Sequence, residues 1–354
     1  MPQPAEDHSQ KLTRVARIPG IRVLAWRGDE LYASSGYSLL RAKISDPSHL
    51  EWQSVGSYRP EWTRRLAVTS RLSARLFRAG FHALAVLPSG AFVGAVAGAI
   101  VSLRPGEREF RATHIIARGT RPLHVAVTSN GALFWGEYFD NSARDEVHVY
   151  ASSDSGTSWQ VAYTFPKSEI RHVHNIVHDP WEECLWVLTG DYGDECRILR
   201  ASNDFSRVET VLKGNQQARA VAFVPAVDGL YFSSDTPLEQ NYIYRLDRSG
   251  NLTRLASINS SSIYGCRVRE RVFFSTMAEP SEVNRDGLVR IYGGSALTAW
   301  ESQLKWKKDS WPMGLFQYGN AILPDGDNST SFLAATTVAV HSDDMVTSLF
   351  CVGT

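Results

Sequence analysis

A short sequence segment recurs through this chain at intervals near fifty residues, and a repeat of this length constrains the possible folds more than any other feature. Each copy begins with one basic or aromatic residue and continues with an alternation of small and apolar residues. The copies begin, about 42 to 60 residues apart, at Arg22, His82, His124, His174, Arg219, Tyr264 and Tyr318. The residues before Arg22 and after Tyr318 together make up about one further interval, so the repeat indicates a ring of seven units.

Within each unit the apolar residues come in short runs that are rich in Val, Ile, Tyr, Phe and Trp and are separated by Gly, Asn, Asp and Ser. This pattern predicts β-strands. Second strands are predicted over 133–138, 185–190, 230–234 and 272–276, and third strands over 147–152, 197–201, 242–247 and 288–292. With a weaker fourth strand, each unit is typical of a propeller blade, because radial repetition protects the edges of the sheets.

The sequence therefore predicts an all-β fold, a seven-bladed β-propeller with four antiparallel strands per blade. An N-terminal strand near 12–18 is expected to complete the last blade and so to close the ring. The whole chain, 1–354, is predicted to form a single propeller domain with a short surface insertion at about 60–80, where an Arg-rich helical pattern interrupts the strands. A six-bladed ring would leave the copy at Arg22 or at Tyr318 unexplained.

Composition argues against two classes of partner. Hydrophobic residues make up 43% of the chain, enough for a large core, and 37 Lys and Arg balance 37 Asp and Glu. A chain without surplus positive charge is poorly suited to bind nucleic acid or an anionic membrane. The sequence has no run of about eighteen apolar residues and begins without a signal-peptide pattern. We expect a cytoplasmic protein, or a periplasmic or secreted one if a leader has been removed, and the oligomeric state stays open.

One loop of the third unit carries a specific motif. Residues 152–159, Ser-Ser-Asp-Ser-Gly-Thr-Ser-Trp, fit the Asp-box pattern Ser-x-Asp-x-Gly-x-x-Trp at each fixed position. In such a turn the side chains of Ser152 and Asp154 bind backbone N–H groups, and Gly156 takes a positive φ. Trp159 is expected to pack between neighbouring sheets. The motif therefore predicts a tight turn between the third and fourth strands of its blade.

This motif resembles the Asp-box of the sialidase-like, bacterial-neuraminidase-repeat propellers, and degraded copies occur at 202–204 and before Trp300. The resemblance implies a propeller from a superfamily of glycosidases, polysaccharide lyases and non-enzymatic binding or assembly factors. It also implies a structural role for Asp154, on the face opposite an active site. Cleavage of sialic acid is not favoured, because Arg22 and Arg219 lack an evident third arginine and histidines occupy three of the ring positions.

The residues at which the repeats begin are expected to surround one mouth of the central channel. Side chains alternate along a strand, which places His172 on the side of His174 and Gln217 on the side of Arg219. The loops between second and third strands lie at the same mouth, and in four units they begin with an acid, namely Glu137, Asp191, Asp235 and Glu279. Basic, aromatic and acidic side chains are therefore predicted to meet in one funnel.

The histidine-rich mouth resembles that of propeller-type polysaccharide lyases, which implies an enzyme that cleaves an acidic saccharide or glycoconjugate by elimination. Such a reaction needs a cation to neutralise the carboxylate, a base of near-neutral pKa and an acid for the leaving oxygen. The candidate catalytic residues are His124, His174, Tyr264, Arg219 and Glu137. The candidate residues for binding a saccharide or another anionic small molecule are Arg22, Gln217, Asp191, Asp235, Glu279 and Tyr318.

One alternative is a glycoside hydrolase on the same propeller. A hydrolase would need two carboxylates, such as Glu137 with Asp235, or a tyrosine nucleophile with a neighbouring acid, such as Tyr264 with Glu279. The distances between these groups decide between a hydrolase and a lyase, and the sequence alone does not give these distances.

Two further alternatives are a metalloprotein and a non-enzymatic propeller. Imidazoles from several blades would suit a divalent ion, Zn, Mn, Fe or Ca, that performs redox chemistry or holds the ring together. The candidate metal ligands are His82, His124, His172 and His174. A non-enzymatic propeller would instead bind a partner or assemble with it, and the loss of a ring histidine would then change stability and little else.

Overall fold

The computed structural model describes residues 12–62, 64, 73, 75–76, 79–313 and 315–353. In this part of the chain 28 of the 29 strands, numbered β1 to β29 in chain order, form seven four-stranded blades around a central channel. The predicted all-β, seven-bladed propeller is confirmed. The insertion predicted at about 60–80 lies largely outside the described residues.

The first strand, β1 (Thr13–Pro19), belongs to the last blade, and blade 1 follows it. Blade 1 comprises β2 (Arg22–Gly28), β3 (Glu30–Ser35), β4 (Ser38–Lys43) and β5 (Gln53–Tyr58). Blade 2 comprises β6 (Ala83–Val86), β7 (Phe92–Val96), β8 (Ala99–Leu103) and β9 (Glu109–Ile115). Blade 3 comprises β10 (Ala126–Val127), β11 (Leu133–Gly136), β12 (Val147–Ser152) and β13 (Gln160–Phe165).

The next three blades repeat the same antiparallel order. Blade 4 comprises β14 (His172–Asp179), β15 (Cys184–Gly190), β16 (Arg197–Ser202) and β17 (Val208–Lys213). Blade 5 comprises β18 (Ala220–Ala226), β19 (Gly229–Ser234), β20 (Asn241–Asp247) and β21 (Leu252–Ile258). Blade 6 comprises β22 (Ser262–Val268), β23 (Arg271–Thr276), β24 (Leu288–Gly294) and β25 (Glu301–Lys307).

Short 3-10 helices cover Gly193–Glu195 and Gln216–Ala218, in loops of blade 4 and of the connection to blade 5. None of the helical segments that can be described is both long enough and apolar enough to cross a membrane.

Blade 7 joins the two parts of the chain that are farthest apart in sequence. It comprises β26 (Asn320–Ile322), β28 (Phe332–Val338), β29 (Val346–Cys351) and β1. Strand β1 pairs antiparallel with β29 in a register that sets Thr13 opposite Cys351. Arg14 and Arg17 reinforce the pair through Asp343, at 2.6 and 3.1 Å. The predicted closure of the ring by an N-terminal strand is confirmed.

Parallel strand pairs connect the first, second and last blades. Strand β27 (Asp325–Asn328) continues the chain from β26 and pairs with β2 of blade 1. The end of β5 pairs with the start of β9, where Ser57 lies opposite Glu109. Blades 1 and 2 therefore merge with β27 into one continuous nine-stranded sheet.

The hydrophobic core consists of seven clusters, and each cluster lies between two neighbouring blades. Blades 2 and 3, for example, pack Val93 and Ile100 against Leu133 and Trp135. Successive side chains of a strand point to opposite faces of its sheet, and both faces of a blade meet a neighbour. Apolar burial therefore holds the blades together, whereas the ends of the innermost strands remain free to carry polar groups.

The loop 152–159 forms the turn that its motif predicts. The Ser152 hydroxyl donates a hydrogen bond to Asp154 Oδ1 (2.8 Å) and accepts one from the Gly156 N–H (3.0 Å). The Ser158 N–H and hydroxyl both donate to the Asp154 carboxylate, at 2.9 and 2.7 Å. One carboxylate and one hydroxyl thus satisfy the backbone donors of the whole turn.

The same turn holds blade 3 against blade 2. Gly156 has a φ of 76°, and a Cβ at this position would lie 2.4 Å from Val93 Cγ2. Trp159 packs on the cluster between the two blades, and its Nε1 donates to the Thr113 hydroxyl at 3.2 Å. Only glycine therefore fits at position 156, and the tryptophan contributes to the contact between sheets as the motif predicts.

Replacing Asp154 by alanine is expected to destabilise the protein in a pH-dependent way. Burial raises the pKa of this carboxyl, but hydrogen bonds from Ser158, Ser152 and the Thr157 N–H more than offset burial and lower the pKa from 3.8 to about 2. The ionised carboxylate therefore stabilises the fold fully above about pH 4, and this contribution is lost as the pH falls through about 2.

For the exposed Asp154 we expect a loss of about 1 kcal/mol in the free energy of unfolding near pH 7, and a much smaller loss near pH 2. Urea denaturation of the wild type and of Asp154→Ala at the two pH values measures both losses. Equal losses at the two pH values would contradict the role of the ionised carboxylate.

Candidate functional site

The mouth of the channel where the repeats begin contains a cavity of about 310 Å³. Asp235 and Glu279, from loops between second and third strands, line it. All seven residues at which the repeats begin line the same cavity, namely Arg22, His82, His124, His174, Arg219, Tyr264 and Tyr318. The topology explains this convergence, because every innermost strand starts at this mouth and every loop between second and third strands returns to it.

Blade 4 supplies a buried pair of histidines at this mouth. His174 is the extra residue of a β-bulge in β14, between Val173 and Asn175 in the pairing with β15. The Nε2 atoms of His172 and His174 lie 3.1 Å apart. Asp191, which follows β15, places its Oδ1 at 3.0 Å from His174 Nε2 and at 3.5 Å from His172 Nε2. These three residues form what we call the blade-4 cluster.

Backbone groups fix the orientation of both rings in the blade-4 cluster. His172 Nδ1 lies 2.9 Å from the Phe139 carbonyl oxygen, and His174 Nδ1 lies 3.0 Å from the Ala220 carbonyl oxygen. Because a carbonyl oxygen can only accept, each Nδ1 carries a proton and donates it. Gly190 leaves the necessary space, since a Cβ there would lie 2.4 Å from His174 Cε1.

Two arginines hold the carboxylate of Asp191. Arg171 Nη1 lies 3.1 Å from its Oδ2, and Arg219 Nη2 lies 3.3 Å from its Oδ1. Burial raises the pKa of Asp191, but contacts with His172 and His174 and the charge of Arg219 more than offset burial and hold the pKa well below its usual range. The Asp191 side chain is therefore an ionised carboxylate within the protein.

Two carboxyls and one phenol at the cavity have raised pKa values. Burial raises the pKa of Asp235 to about 6, although Arg219 Nε lies 3.5 Å from its Oδ2. Burial also raises the pKa of Glu279. Burial and the negative charge of Asp191 raise the pKa of Tyr138 to about 12, so its phenol is protonated at neutral pH.

Arg22 is a half-buried cation at the same cavity. Its Nη1 lies 3.4 Å from His82 Nδ1, and its Nη2 donates to the Tyr264 hydroxyl at 3.4 Å. Within the described structure its Nε is buried without a hydrogen-bond partner, and Arg22 forms no ion pair with a described carboxylate. Arg219, in contrast, faces both Asp191 and Asp235. Arg22 is thus a cavity arginine without a carboxylate partner among the residues that the structure describes.

The structure does not bring the four predicted metal ligands together. His124 Nδ1 lies 2.9 Å from Asp325 Oδ2, and His124 also lines a cavity of about 390 Å³ that opens at the other end of the channel. His82 contacts Arg22 instead. The innermost strands spread around the channel, so histidines of different blades stay apart. Among the described residues, His172 and His174 are the two members of the predicted set that can share an ion. Their ligand atoms and that of Asp191 all lie within 4.8 Å of one another.

Three predicted catalytic or binding residues do not line this cavity, namely Asp191 of the blade-4 cluster, Glu137 and Gln217. Glu137 is buried, and its carboxylate accepts hydrogen bonds from Arg118 (2.9 Å) and from the His148 N–H (2.8 Å). Gln217 belongs to the 3-10 helix, where strand alternation does not apply, and its amide donates to the Gln240 carbonyl at 3.1 Å. The structure therefore corrects the placement of Glu137 and Gln217 in the funnel.

Three residues at this site carry no role in the sequence-based prediction. Tyr138 lines the cavity and packs on His172 with ring centroids 4.3 Å apart. Arg171 holds Asp191, and Arg121 lines the cavity. Tyr138 directly follows the acid of its loop, and Arg171 directly precedes His172, so extending each pattern by one residue would find them. Arg121 lies in a loop that carries no feature of the repeat.

The loops around the mouth carry exposed apolar side chains. They belong to connections between second and third strands or between consecutive blades, and they include Tyr192, Leu238, Trp311, Leu315 and Tyr318. Leu315 is 69% exposed and Tyr192 is 50% exposed. An apolar rim around a polar recess is a combination that protein interaction sites use.

Comparison with known proteins supports the fold alone. No protein-family profile matches the sequence, and no curated protein matches it. A chain in a crystal structure of the mitotic checkpoint complex is similar over 100% of this chain and 96% of its own length, with a TM-score of 0.60 and 11% identity. The WD40 β-propeller domain of Doa1 is similar over 96% of this chain and 97% of its own length, with a TM-score of 0.59 and 10% identity. This chain is a β-propeller.

The prediction of an enzyme that cleaves acidic saccharides is wrong. The similar structures are those of a checkpoint complex and of a WD40 domain, and they give no support to a sialidase-like propeller, a polysaccharide lyase or a glycoside hydrolase. His174, a predicted catalytic residue, is 3% exposed, and its Nε2 is directed at His172 and Asp191.

Proposed function

We propose that this protein is a non-enzymatic binding propeller that takes an acidic side chain of a protein partner into the mouth of its channel. The observation that carries the proposal is the half-buried guanidinium of Arg22, which faces the cavity without a carboxylate partner among the described residues. The fold that it shares with a chain of the mitotic checkpoint complex and with the Doa1 domain is compatible with a role in assembly.

Electrostatics favour an anion beside Arg22. A cation that is partly removed from water, and is not paired, raises the free energy of the protein. Asp235 pairs with Arg219, and no described carboxylate forms an ion pair with Arg22, so the described cavity acids do not neutralise it directly. A carboxylate from a partner would form charge-assisted hydrogen bonds with the guanidinium.

The size and the rim of the mouth favour a protein segment as the source of that carboxylate. A cavity of about 310 Å³ lies at the small end of ligand sites, so it suits one or two side chains. Exposed aromatic and aliphatic groups such as Tyr192, Trp311 and Leu315 surround it. These groups would pack against the rest of the segment, as aromatic anchors do at protein interfaces.

The expected result of an Arg22→Met substitution is a loss of preference for acidic peptides. The probes are two immobilised sets of random decapeptides, identical except for a central Glu in one set and a central Gln in the other. We expect the wild type to bind the Glu set at least about tenfold more tightly, because a hydrogen bond to a charged group contributes about 1.5–3 kcal/mol. Methionine keeps much of the side-chain volume, so the variant should bind both sets equally.

Arg111→Met is the matched control, because Arg111 lies exposed on β9, the outermost strand of blade 2. It should keep the preference for Glu. Equal binding of the two sets by the wild type, or an equal loss of preference in both variants, would overturn the proposal.

A further inference from the structure

The blade-4 cluster, His172, His174 and Asp191, directs three acceptor atoms at one point. Both Nδ1 atoms donate to backbone carbonyls, so in a neutral ring each Nε2 carries a lone pair and no proton. The two Nε2 atoms lie 3.1 Å apart, and Asp191 Oδ1 lies 3.0 and 3.5 Å from them. Three electron pairs that converge in a buried place repel each other unless a cation lies among them.

We propose that the blade-4 cluster binds a divalent transition-metal ion. A proton could form a hydrogen bond between two of these atoms, but the third acceptor atom would then have no donor. The three separations of 3.0, 3.1 and 3.5 Å are nearly equal. In a tetrahedral site with bonds of about 2.0–2.1 Å the ligand atoms lie about 3.3–3.5 Å apart. One separation falls in this range and two are about 0.3 Å shorter, so a small outward shift of these atoms would admit an ion close to all three.

The surroundings of the cluster are those of a metal site. Histidines that bind a metal usually donate their other N–H to a carbonyl or a carboxylate, and His172 and His174 both do so, to Phe139 and Ala220. Arg171 holds the second oxygen of Asp191 at 3.1 Å and so orients the carboxylate.

Arg219 lies near the same oxygen that faces the histidines, at 3.3 Å. It has Asp235 as a second partner, so Asp191 Oδ1 can turn towards an ion without leaving Arg219 unpaired.

The donor set defines the class of ion. Two imidazole nitrogens and one carboxylate oxygen suit Zn²⁺, Fe²⁺ and related ions, whereas Ca²⁺ and Mg²⁺ prefer oxygen ligands throughout. The site uses His172 and His174 of the predicted ligand set together with Asp191, and it does not use His82 or His124. It does not depend on Arg22, so the metal site and the partner site can fail separately.

The experiment measures zinc in the purified chain by mass spectrometry after removal of metal with a chelator, dialysis against Zn²⁺ and a final dialysis in buffer. The wild type is expected to retain about one ion per chain. In His172→Asn and His174→Asn the asparagine amide can still donate to the backbone carbonyl that Nδ1 binds in the wild type. The variants lack the Nε2 atom that would bind the ion. Each variant should therefore retain less than about a tenth as much zinc.

His124→Asn is the matched control, since it makes the same substitution at the channel but outside the blade-4 cluster. It should retain as much zinc as the wild type. As a second readout, Zn²⁺ should raise the melting temperature of the wild type and of His124→Asn, because a ligand of the native state stabilises it. It should leave the melting temperatures of the other two variants unchanged.

A wild type that retains no zinc, and whose melting temperature Zn²⁺ does not change, would overturn the proposal and would indicate a proton shared by His172 and His174. Equal retention by the wild type and by both cluster variants would overturn it as well. If His174→Asn does not fold, the wild type and His172→Asn decide the question.

Discussion

A chain that begins at Gly20, and therefore lacks β1, is expected to lose about 5 kcal/mol or more of its free energy of unfolding and to aggregate. Strand β1 pairs with β29 at six positions, and each backbone hydrogen bond contributes about 1 kcal/mol. The truncation also removes Arg14 and Arg17 from Asp343. Strand β29 would then become an open edge, available for pairing with another chain. Urea denaturation measures the loss, and light scattering measures the aggregation.

Moving the strand tests whether closure is the cause. Because β1 runs antiparallel to β29, residues 12–19 can be attached after Val352 through a short Asn-Gly turn, as the second strand of a hairpin. The rearranged chain should recover most of the lost stability and stay monodisperse. A truncated chain as stable as the wild type, or a rearranged chain as unstable as the truncated one, would contradict closure by β1.

The sequence predicts the blades well because their determinants are local. Alternation of apolar residues marks each strand, and the predicted second strand over 272–276 lies within the observed β23 (Arg271–Thr276). The repeat also shows which positions in different blades are equivalent. Arg22 and Tyr318, far apart in sequence, can therefore be assigned to the same mouth, and both line the cavity.

The contacts of individual side chains are harder to predict, because they depend on other parts of the chain. The position of Glu137 in its loop predicts a place in the funnel, but Arg118, from the connection between blades 2 and 3, draws its carboxylate away. The prediction for Gln217 is wrong because a 3-10 helix interrupts the alternation just before β18. Strand periodicity predicts the side of a strand, and it stops applying where the strand ends.

The proposed metal ligands show the same division. The pair His172 and His174 is visible in the sequence, since residues two apart on a strand share a side. That Asp191 completes this pair, rather than His82 or His124, follows from the way β15 returns beside β14 and sets Gly190 opposite His172. The sequence offers four acids in equivalent loops, and only the three-dimensional contacts select one of them.

Replacing Asp179 by alanine is expected to lower the free energy of unfolding by about 3–5 kcal/mol, the other large effect that we expect. Asp179, at the end of β14, is fully buried, and its carboxylate accepts hydrogen bonds from both Nη groups of Arg248 in blade 5. The indole N–H of Trp186 also donates to it, at 3.3 Å. Removing Asp179 leaves Arg248, whose side chain is 22% exposed, with Glu182 at 3.1 Å as its remaining counter-charge. It also leaves the Trp186 N–H without its acceptor and the space of a buried carboxylate empty, and these losses add to that of the ion pair.

A double-mutant cycle with Arg248→Met separates this ion pair from simple loss of packing. The double variant should be more stable than the sum of the two single losses predicts, by about 1–3 kcal/mol. Arg248→Met alone leaves the fully buried Asp179 without its cation, and the double variant does not contain that carboxylate. The exposed pair of Arg207 and Glu209, 2.9 Å apart, is the control, and its coupling energy should stay below about 1 kcal/mol. Urea denaturation followed by tryptophan fluorescence gives all these energies. If the losses for Asp179 and Arg248 were simply additive, the two blades would be held together by their apolar clusters, and the ion pair would contribute nothing to their contact.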